Sequence, residues 1–342
     1  MSWKKYPSIE NSSRMKFVDK IKEFGYHTQE WCVTEKIDGQ NFSFIVSEDG
    51  IKLAKRSSIV EYGELKNFPG MKEYFDSHVE NFKSMFNRLT VEDPSISTVV
   101  VYGENYGGKY IHPDVPCDNQ AKKVQGRIQY TPHNSFIAYD LAVVTDNIFR
   151  YVNYDFAVEV FRQSGIDYIP VLYRGTLDEC LEYPNKFNTT IPLLFKLPEI
   201  DENICEGVVI KPIEPIFFSS GERVILKNKN EVFSERKKTG DNSKNQLKNT
   251  EEVTLVLEHL KEFITENRLK NIISHLGTVG EKDFGILMKD FTNDILTDYC
   301  KEFEDEFNVL SKDDQKTVTK WLAKEAANLI RPVFLNIVDG EF

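Results

Sequence analysis

The sequence predicts an α+β fold in two parts, on three observations. Through the first 235 residues, short apolar strand patterns recur with only a few helices among them. No regular alternation of strand and crossover helix appears, so antiparallel pairing is favoured over a doubly wound sheet. From 236 to 249 the text turns polar (R-K-K-T-G-D-N-S-K-N-Q-L-K-N), with no apolar face to bury, and reads as a linker or exposed loop. Beyond it the apolar residues fall at helical spacing. The expected domains are residues 1–240 and a helical domain over 249–342.

Taken in order, Phe17, Ile21 and Phe24 recur at helical spacing and predict a first helix, and Tyr74, His78, Val79, Phe82 and Phe86 predict a second. Phe42, Phe44 and Val46 alternate with polar partners as in a half-buried strand, and Val224 with Leu226 repeats the pattern. The runs 99–102, 136–143 and 207–210 are nearly continuous in apolar residues, as expected for strands covered on both faces. In the tail, Val256, Leu257, Leu260 and Phe263 form one helical face, Phe284, Leu287 and Phe291 another, and Trp321, Leu322 and Leu329 a third. Pro332 marks a kink or stop.

The 342 residues are 40% hydrophobic and 28% charged, an ordinary globular composition that excludes wholesale disorder and fibrous architectures. No apolar run reaches the roughly 18 residues a membrane-spanning helix needs, and the first residues lack the apolar core of a signal peptide. Five cysteines with no C-x-x-C pair argue against a disulfide framework and a zinc site, and predict a reducing, cytoplasmic home. The net charge of −11 argues against a polyanionic partner. Residues 251–342 carry 11 basic and 19 acidic side chains, however, which leaves residues 1–250 nearly balanced at 32 against 35. A local basic surface is expected there, along Arg223, Lys227, Lys229, Arg236, Lys237 and Lys238.

Chemistry is concentrated in polar islands set among apolar strands. Lys36-Ile37-Asp38-Gly39 lies between the apolar run 31–33 and the strand 41–46. A lysine so placed suits a nucleophilic amine, because the glycine permits a tight turn and flanking sheets can desolvate the ammonium. Alone it also fits a β-turn with an exposed lysine. Glu104 follows a run of valines, Glu206 opens a buried strand, and Lys227 and Lys229 alternate so that both point to one face, where two cations can hold a phosphate. Charges at such positions are rarely buried without a partner, although each could instead sit on a rim.

Lys36-Ile37-Asp38-Gly39, Lys55-Arg56, Tyr102-Gly103-Glu104, Tyr139-Asp140, Glu206-Gly207-Val208-Val209-Ile210-Lys211 and Lys227-Asn228-Lys229 occur in that order. This set resembles the signature of the covalent nucleotidyltransferases, the polynucleotide ligases and messenger-RNA capping enzymes. More closely it is similar to the branch that holds RNA ligase 2 of bacteriophage T4 and the kinetoplastid RNA-editing ligases. Lys4-Lys5-Tyr6 and Ser8-Ile9-Glu10-Asn11 resemble that branch's start, and Gly107-Gly108-Lys109-Tyr110 with His112-Pro113 resembles the editing ligases.

The resemblance implies a nucleotidyltransferase domain of antiparallel sheets with flanking helices, followed by a small all-helical domain. It implies an ATP-dependent RNA ligase that seals nicks with 3′-hydroxyl and 5′-phosphate ends in double-stranded RNA or an RNA-containing duplex, with ATP and Mg2+ as cofactors. Lys36 would become lysyl-AMP, Arg56 would contact the AMP phosphate or ribose, Glu104 the ribose hydroxyls, and Tyr139 would stack on adenine. Glu35, Ile37 and Asn41 would also line the nucleotide, Glu206 would bind the metal or its waters, and Lys227 and Lys229 would grip the α-phosphate. Physically, such chemistry needs positioning and charge neutralisation, which two lysines and a metal supply. Those lysines and the metal would also disfavour protonation of Lys36.

Asp38 stands where the phage enzyme has histidine, and Tyr139 where phenylalanine is usual. The stretch between Glu104 and Tyr139 is longer than in the phage protein, and residues 111–134, with 117–129 at their centre, are expected to be a surface insertion. His112 and His133 lack metal-ligand spacing, Trp3, Trp31 and Trp321 are expected in cores, and Glu302, Glu304, Asp305 and Glu306 on a solvated face. The rival functions are a DNA ligase or GTP-using capping enzyme, and an idle RNA-binding protein on the same scaffold. The first rival usually carries an oligonucleotide-binding barrel, which the helical tail does not support.

Overall fold

The computed structural model describes residues 3–233, 251–303 and 306–342. The expected linker over 236–249, with Arg236, Lys237 and Lys238, lies outside them, as do Glu304 and Asp305. The chain divides into two compact units, Met1–Val232 and Phe233–Phe342.

The strands of the first unit are β1 (Glu10–Asn11), β2 (Trp31–Glu35), β3 (Gln40–Ser47), β4 (Gly50–Lys55), β5 (Ile59–Val60), β6 (Ile96–Gly107), β7 (Asn134–Thr145), β8 (Ile148–Tyr151), β9 (Val171–Gly175), β10 (Gly207–Pro212) and β11 (Leu226–Lys229). Its helices are α1 (Met15–Glu23), α2 (Met71–Glu92), α3 (Tyr154–Ser164), α4 (Leu177–Leu181) and α5 (Ile191–Leu194). One sheet runs β1-β11-β10-β2-β9 and the other β5-β4-β3-β6-β7-β8. Pairing between named strands is antiparallel, as the sequence predicts, except that Glu10–Asn11 runs parallel to β11.

The six-stranded sheet is covered on both faces, which explains its apolar runs. On one face Phe42, Phe44 and Val46 pack with Phe82, Met85 and Phe86 of α2 and Phe161 of α3. On the other, Ile45, Val100, Tyr102 and Ala142 meet Val209 of the facing sheet and Ile225, just before β11. Strand β3 is therefore not half-buried as its alternation suggested. All of 42–47 is buried, with Ser43 and Ser47 as the polar members. The outer face of the five-stranded sheet receives Phe17, Val18 and Ile21 of α1 and Leu177 and Cys180 of α4. Phe24 corrects the expected first helix: it follows the last helical residue and is 51% exposed.

The second unit is helical: α6 (Glu251–Phe263), α7 (Glu266–Leu276), α8 (Phe284–Glu302), α9 (Lys312–Ile330) and α10 (Phe334–Val338). Val256, Leu260, Leu287, Phe291 and Leu322 share one core. Trp321 and Leu329 are only partly buried against it. Helix α9 ends at Ile330, and Pro332 sits in the short 3-10 turn that follows. Glu306 departs from the solvated face expected for it, because its carboxylate accepts from Tyr299 at 2.7 Å and lies 3.0 Å from His259 Nδ1. Among the described residues no helix is long and apolar enough to cross a membrane.

Candidate active site

The tetrapeptide Lys36-Ile37-Asp38-Gly39 is the crossing point between the sheets: β2, before it, belongs to one sheet and β3, after it, to the other. Lys36 keeps one tie to the sheet it leaves, its N–H donating to Gly207 O at 2.9 Å. Gly39 is required by close approach, since a Cβ there would lie 2.4 Å from Asn105 O and 2.6 Å from Glu104 Cγ. The register that pairs Asn41 with Glu104 thereby brings β6 hard against the turn. At the far side Gly207, at φ +141°, lets β10 pass β11; its Cβ would lie 2.1 Å from Asn228 O.

Glu206, 2% exposed, is the electrostatic centre. One carboxylate oxygen lies 2.7 Å from Lys36 Nζ and the other 2.9 Å from Lys229 Nζ. Burial works to raise its pKa, and the Lys229 and Lys36 ammonium groups outweigh burial and hold it below the usual carboxylate range. Lys227 faces the same side as Lys229 by strand alternation and is half-buried. Lys36 thus sits in an ion pair with Glu206.

The two other acids behave oppositely. Burial pushes Glu104 up to about 8, with Lys36 opposing the rise and Glu206 adding to it. Asp38 is pushed up to about 7 by burial and then by Glu206, against Lys36 and Lys229. The Arg56 guanidinium, just past β4, is close enough to act on Glu104 and Tyr139. Asn41 Nδ2 donates to Tyr139 Oη, while the Tyr139 ring rests edge-on against Tyr6 at 4.9 Å. Ile37 is buried.

Of the residues expected to line a nucleotide, Glu35 is turned away. Its buried carboxylate accepts from Thr189 Oγ1 and, at 2.8 Å each, from the N–H and hydroxyl of Thr190. Arg223 is likewise no surface cation: it is buried and paired with Asp140 at 2.7 Å. Tyr6 donates to the same carboxylate at 2.8 Å, and Lys211 Nζ donates to Tyr139 O at 2.7 Å. This cluster holds the backbone beneath Tyr139. Its signal in the sequence was the charge of Asp140 and Lys211 inside apolar strands, which calls for partners.

The 111–134 stretch is not simply a surface insertion. Residues 116–120 are exposed, but Val115, Ile128 and Tyr130 are buried, and Tyr130 Oη accepts the Asp38 N–H at 2.9 Å. Polar and apolar residues are mixed through 111–134 with no sustained helical or strand period, so the sequence gives no signal for that. Among the described residues no group of three or more His, Cys, Asp or Glu is placed to hold a metal ion. The buried Glu206 carboxylate is a hard oxygen donor of the kind that divalent cations take, often only one or two at a time.

Comparison with known proteins follows the same division of the chain. A family described as RNA ligase matches residues 29–229, and one described as T4 RNA ligase 2 C-terminal matches residues 247–328. The chain is 26% identical to "RNA-editing ligase 2, mitochondrial" of Trypanosoma brucei brucei, over 96% of this chain and 90% of that protein. It is 26% identical to "RNA-editing ligase 1, mitochondrial" of the same organism, over 84% of this chain and 73% of the relative. Among solved structures, "Naegleria gruberi RNA ligase with PPi" aligns at 14% identity with a TM-score of 0.43, over 68% of this chain and 57% of the other. The chain thus spans less than two thirds of that protein's length.

Proposed function

The chain belongs to the RNA ligase family and is an enzyme of that class; from that premise we propose that it uses ATP to seal 3′-hydroxyl/5′-phosphate nicks in RNA duplexes. The observation that carries the reading is the Glu206 carboxylate shared by Lys36 and Lys229, with Glu104 pressed against the same turn. Lys36 gives up its ammonium proton to solvent water, leaves its ion pair, and attacks the α-phosphorus of ATP as the free amine. A Lys36 Nζ–P bond forms, the bond to the leaving pyrophosphate breaks, and lysyl-AMP remains. The RNA 5′-phosphate takes AMP from the lysine, and the 3′-hydroxyl of the neighbouring strand displaces AMP to close the phosphodiester.

Lys227 and Lys229 neutralise the α-phosphate as charge builds in the transition state. Glu104 accepts from the ribose hydroxyls, Arg56 pairs with phosphate or ribose, Asn41 sets the Tyr139 ring for adenine, and Ile37 supplies an apolar wall. Glu35 acts on the site through its place in the chain, since its side chain is committed to Thr189 and Thr190. Glu206 would hold the divalent cation, magnesium in this proposal, which when bound neutralises phosphate charge. The free cysteines, with Cys32, Cys180 and Cys205 buried, support a reducing compartment, and we place the enzyme in the cytoplasm. Recovery of the protein inside a membrane-bounded organelle would overturn that placement.

The deciding experiment incubates the protein with ATP labelled at the α-phosphate and then with a nicked RNA duplex. Covalent label on the protein that is lost in hot acid but survives alkali, as a lysine phosphoramidate does, and that chases into sealed RNA supports the proposal. No label supports an idle binding protein, competition by GTP supports capping, and equal sealing of an all-DNA nick supports a DNA ligase.

The raised acids give the reaction a pH dependence. Glu104 must be ionised to accept from both ribose hydroxyls, so KM for ATP is expected to fall as pH rises from roughly 6.5 to 8.5, and Glu104→Gln to abolish that trend. Stability moves the other way. With its folded pKa of about 8 above the ordinary carboxylate value of 4.5, the folded protein binds the extra proton, and stability falls as pH climbs between the two. Glu104→Gln is therefore expected to raise the melting temperature at pH 8 by roughly 2–8 °C, with little change near pH 5, as thermal denaturation of the ATP-free protein would measure.

A further inference from the structure

We infer that Tyr130, carried to the site by the stretch between β6 and β7, is a positioning residue for the nucleophile. Its hydroxyl pins the Asp38 peptide so that Lys36 projects from a turn fixed at both ends. The inference rests on the ligase reading and deepens it. Lys36 and Asp38 lie in the passage between two sheets, where neither sheet's regular ladder supplies all the hydrogen bonds, and a buried N–H needs a partner. The Lys36 N–H finds Gly207 O at 2.9 Å. The Asp38 N–H finds Tyr130 Oη, 92 residues distant in the chain, also at 2.9 Å.

The stretch is built to deliver that hydroxyl. Val124 N–H donates to Gly107 O at 3.1 Å, and Lys122 exchanges hydrogen bonds with the Asn134 side chain at 3.1 and 2.6 Å. Gly108 at φ +88° makes room, since its Cβ would lie 2.1 Å from Lys122 O. Beside Tyr130, the Asn203 side chain grips both backbone groups of Gln129, accepting at 2.9 Å and donating at 2.7 Å. Asn203 O in turn accepts from Thr189 N–H at 2.8 Å, and Thr189 holds Glu35. Glu35, just before Lys36, and Asp38, two residues after it, are thus tied into one hydrogen-bonded chain. The Tyr130 ring is 1% exposed and meets Tyr106 edge to face at 5.5 Å, which fixes its tip. Burial, then the charges of Glu35 and Asp38, push its pKa well above the ordinary value, so the phenol stays neutral across the working range.

The test is Tyr130→Phe, which keeps the ring and removes the acceptor. In single-turnover labelling at saturating ATP, the rate constant for lysyl-AMP formation is expected to fall by about tenfold to a hundredfold, the scale of a misplaced nucleophile, with KM for ATP nearly unchanged. The labelled fraction at the end point should match the unsubstituted protein. A purely structural role would instead lower that fraction and leave the rate constant alone, and this outcome, or an unchanged rate constant, would overturn the inference. Asn203→Ala should slow the same step, and adding it to Tyr130→Phe should bring no further loss, because Asn203 acts through Tyr130. Should Tyr130→Phe fail to fold, an unchanged rate constant in Asn203→Ala overturns the inference by itself. Absence of labelling in the unsubstituted protein would sink the ligase reading, whereas equal rates in it and Tyr130→Phe sink only this inference.

Discussion

Lys36→Ala and Lys36→Arg proteins are expected to fold and to take up no label from α-labelled ATP, a loss on the order of 10⁴ or more in rate, as when a covalent nucleophile is removed. Alanine has no amine. Arginine keeps the positive charge beside Glu206 but stays protonated at every accessible pH, so it preserves the ion pair and cannot attack phosphorus. The two substitutions therefore separate charge from nucleophilicity. Sealing of a nick that already carries AMP on its 5′ end bypasses lysyl-AMP, and should survive in the variants far better than sealing of a plain 5′-phosphate nick. Labelling of either variant at near-normal rate would remove Lys36 from the mechanism.

The second large effect is expected at Glu206 and Lys227, and the two should fail differently. Each alanine substitution should slow lysyl-AMP formation by roughly a hundredfold or more, the loss that follows removal of one preorganised contact to developing charge. Glu206→Ala also takes away the buried carboxylate that bridges Lys36 and Lys229, so it should cost stability on the scale of about 3–5 kcal/mol for breaking a buried pair. Lys227→Ala leaves that bridge in place and should cost less stability than Glu206→Ala. Rates near normal at saturating ATP and magnesium in either protein would contradict the assignment, and equal melting of both would contradict the bridge.

How much of this was legible in the sequence depended on whether the cause was local. The turn 36–39 and the acids and lysines at 104, 206, 227 and 229 interrupt apolar strands, and a charge in such a place demands a partner nearby. The strands over 99–102, 136–143 and 207–210 were legible because two covered faces leave no polar alternation. Helices α3 and α7 lie outside the helices expected from periodicity; their apolar rows are short and take shape only against neighbours, as Phe161 does against the six-stranded sheet. Strand β3 was assigned one buried face because Ser43 and Ser47 are polar, although the facing sheet covers them. Arg223 could be read only as a cation in a basic run, since its partner Asp140 lies 83 residues earlier and no period links them. Tyr130 gave no signal, because one hydroxyl reaching one backbone N–H depends wholly on tertiary placement.

The central claim is that Lys36 is the atom-bearing nucleophile of an ATP-dependent RNA ligase. It is tested most directly by forming the adduct with α-labelled ATP and magnesium, digesting the protein, and locating the AMP by mass spectrometry. The account predicts AMP on Lys36 alone, in a protein that passes the label to nicked RNA. AMP on another residue, or an adduct on Lys36 that never chases into RNA, would contradict it.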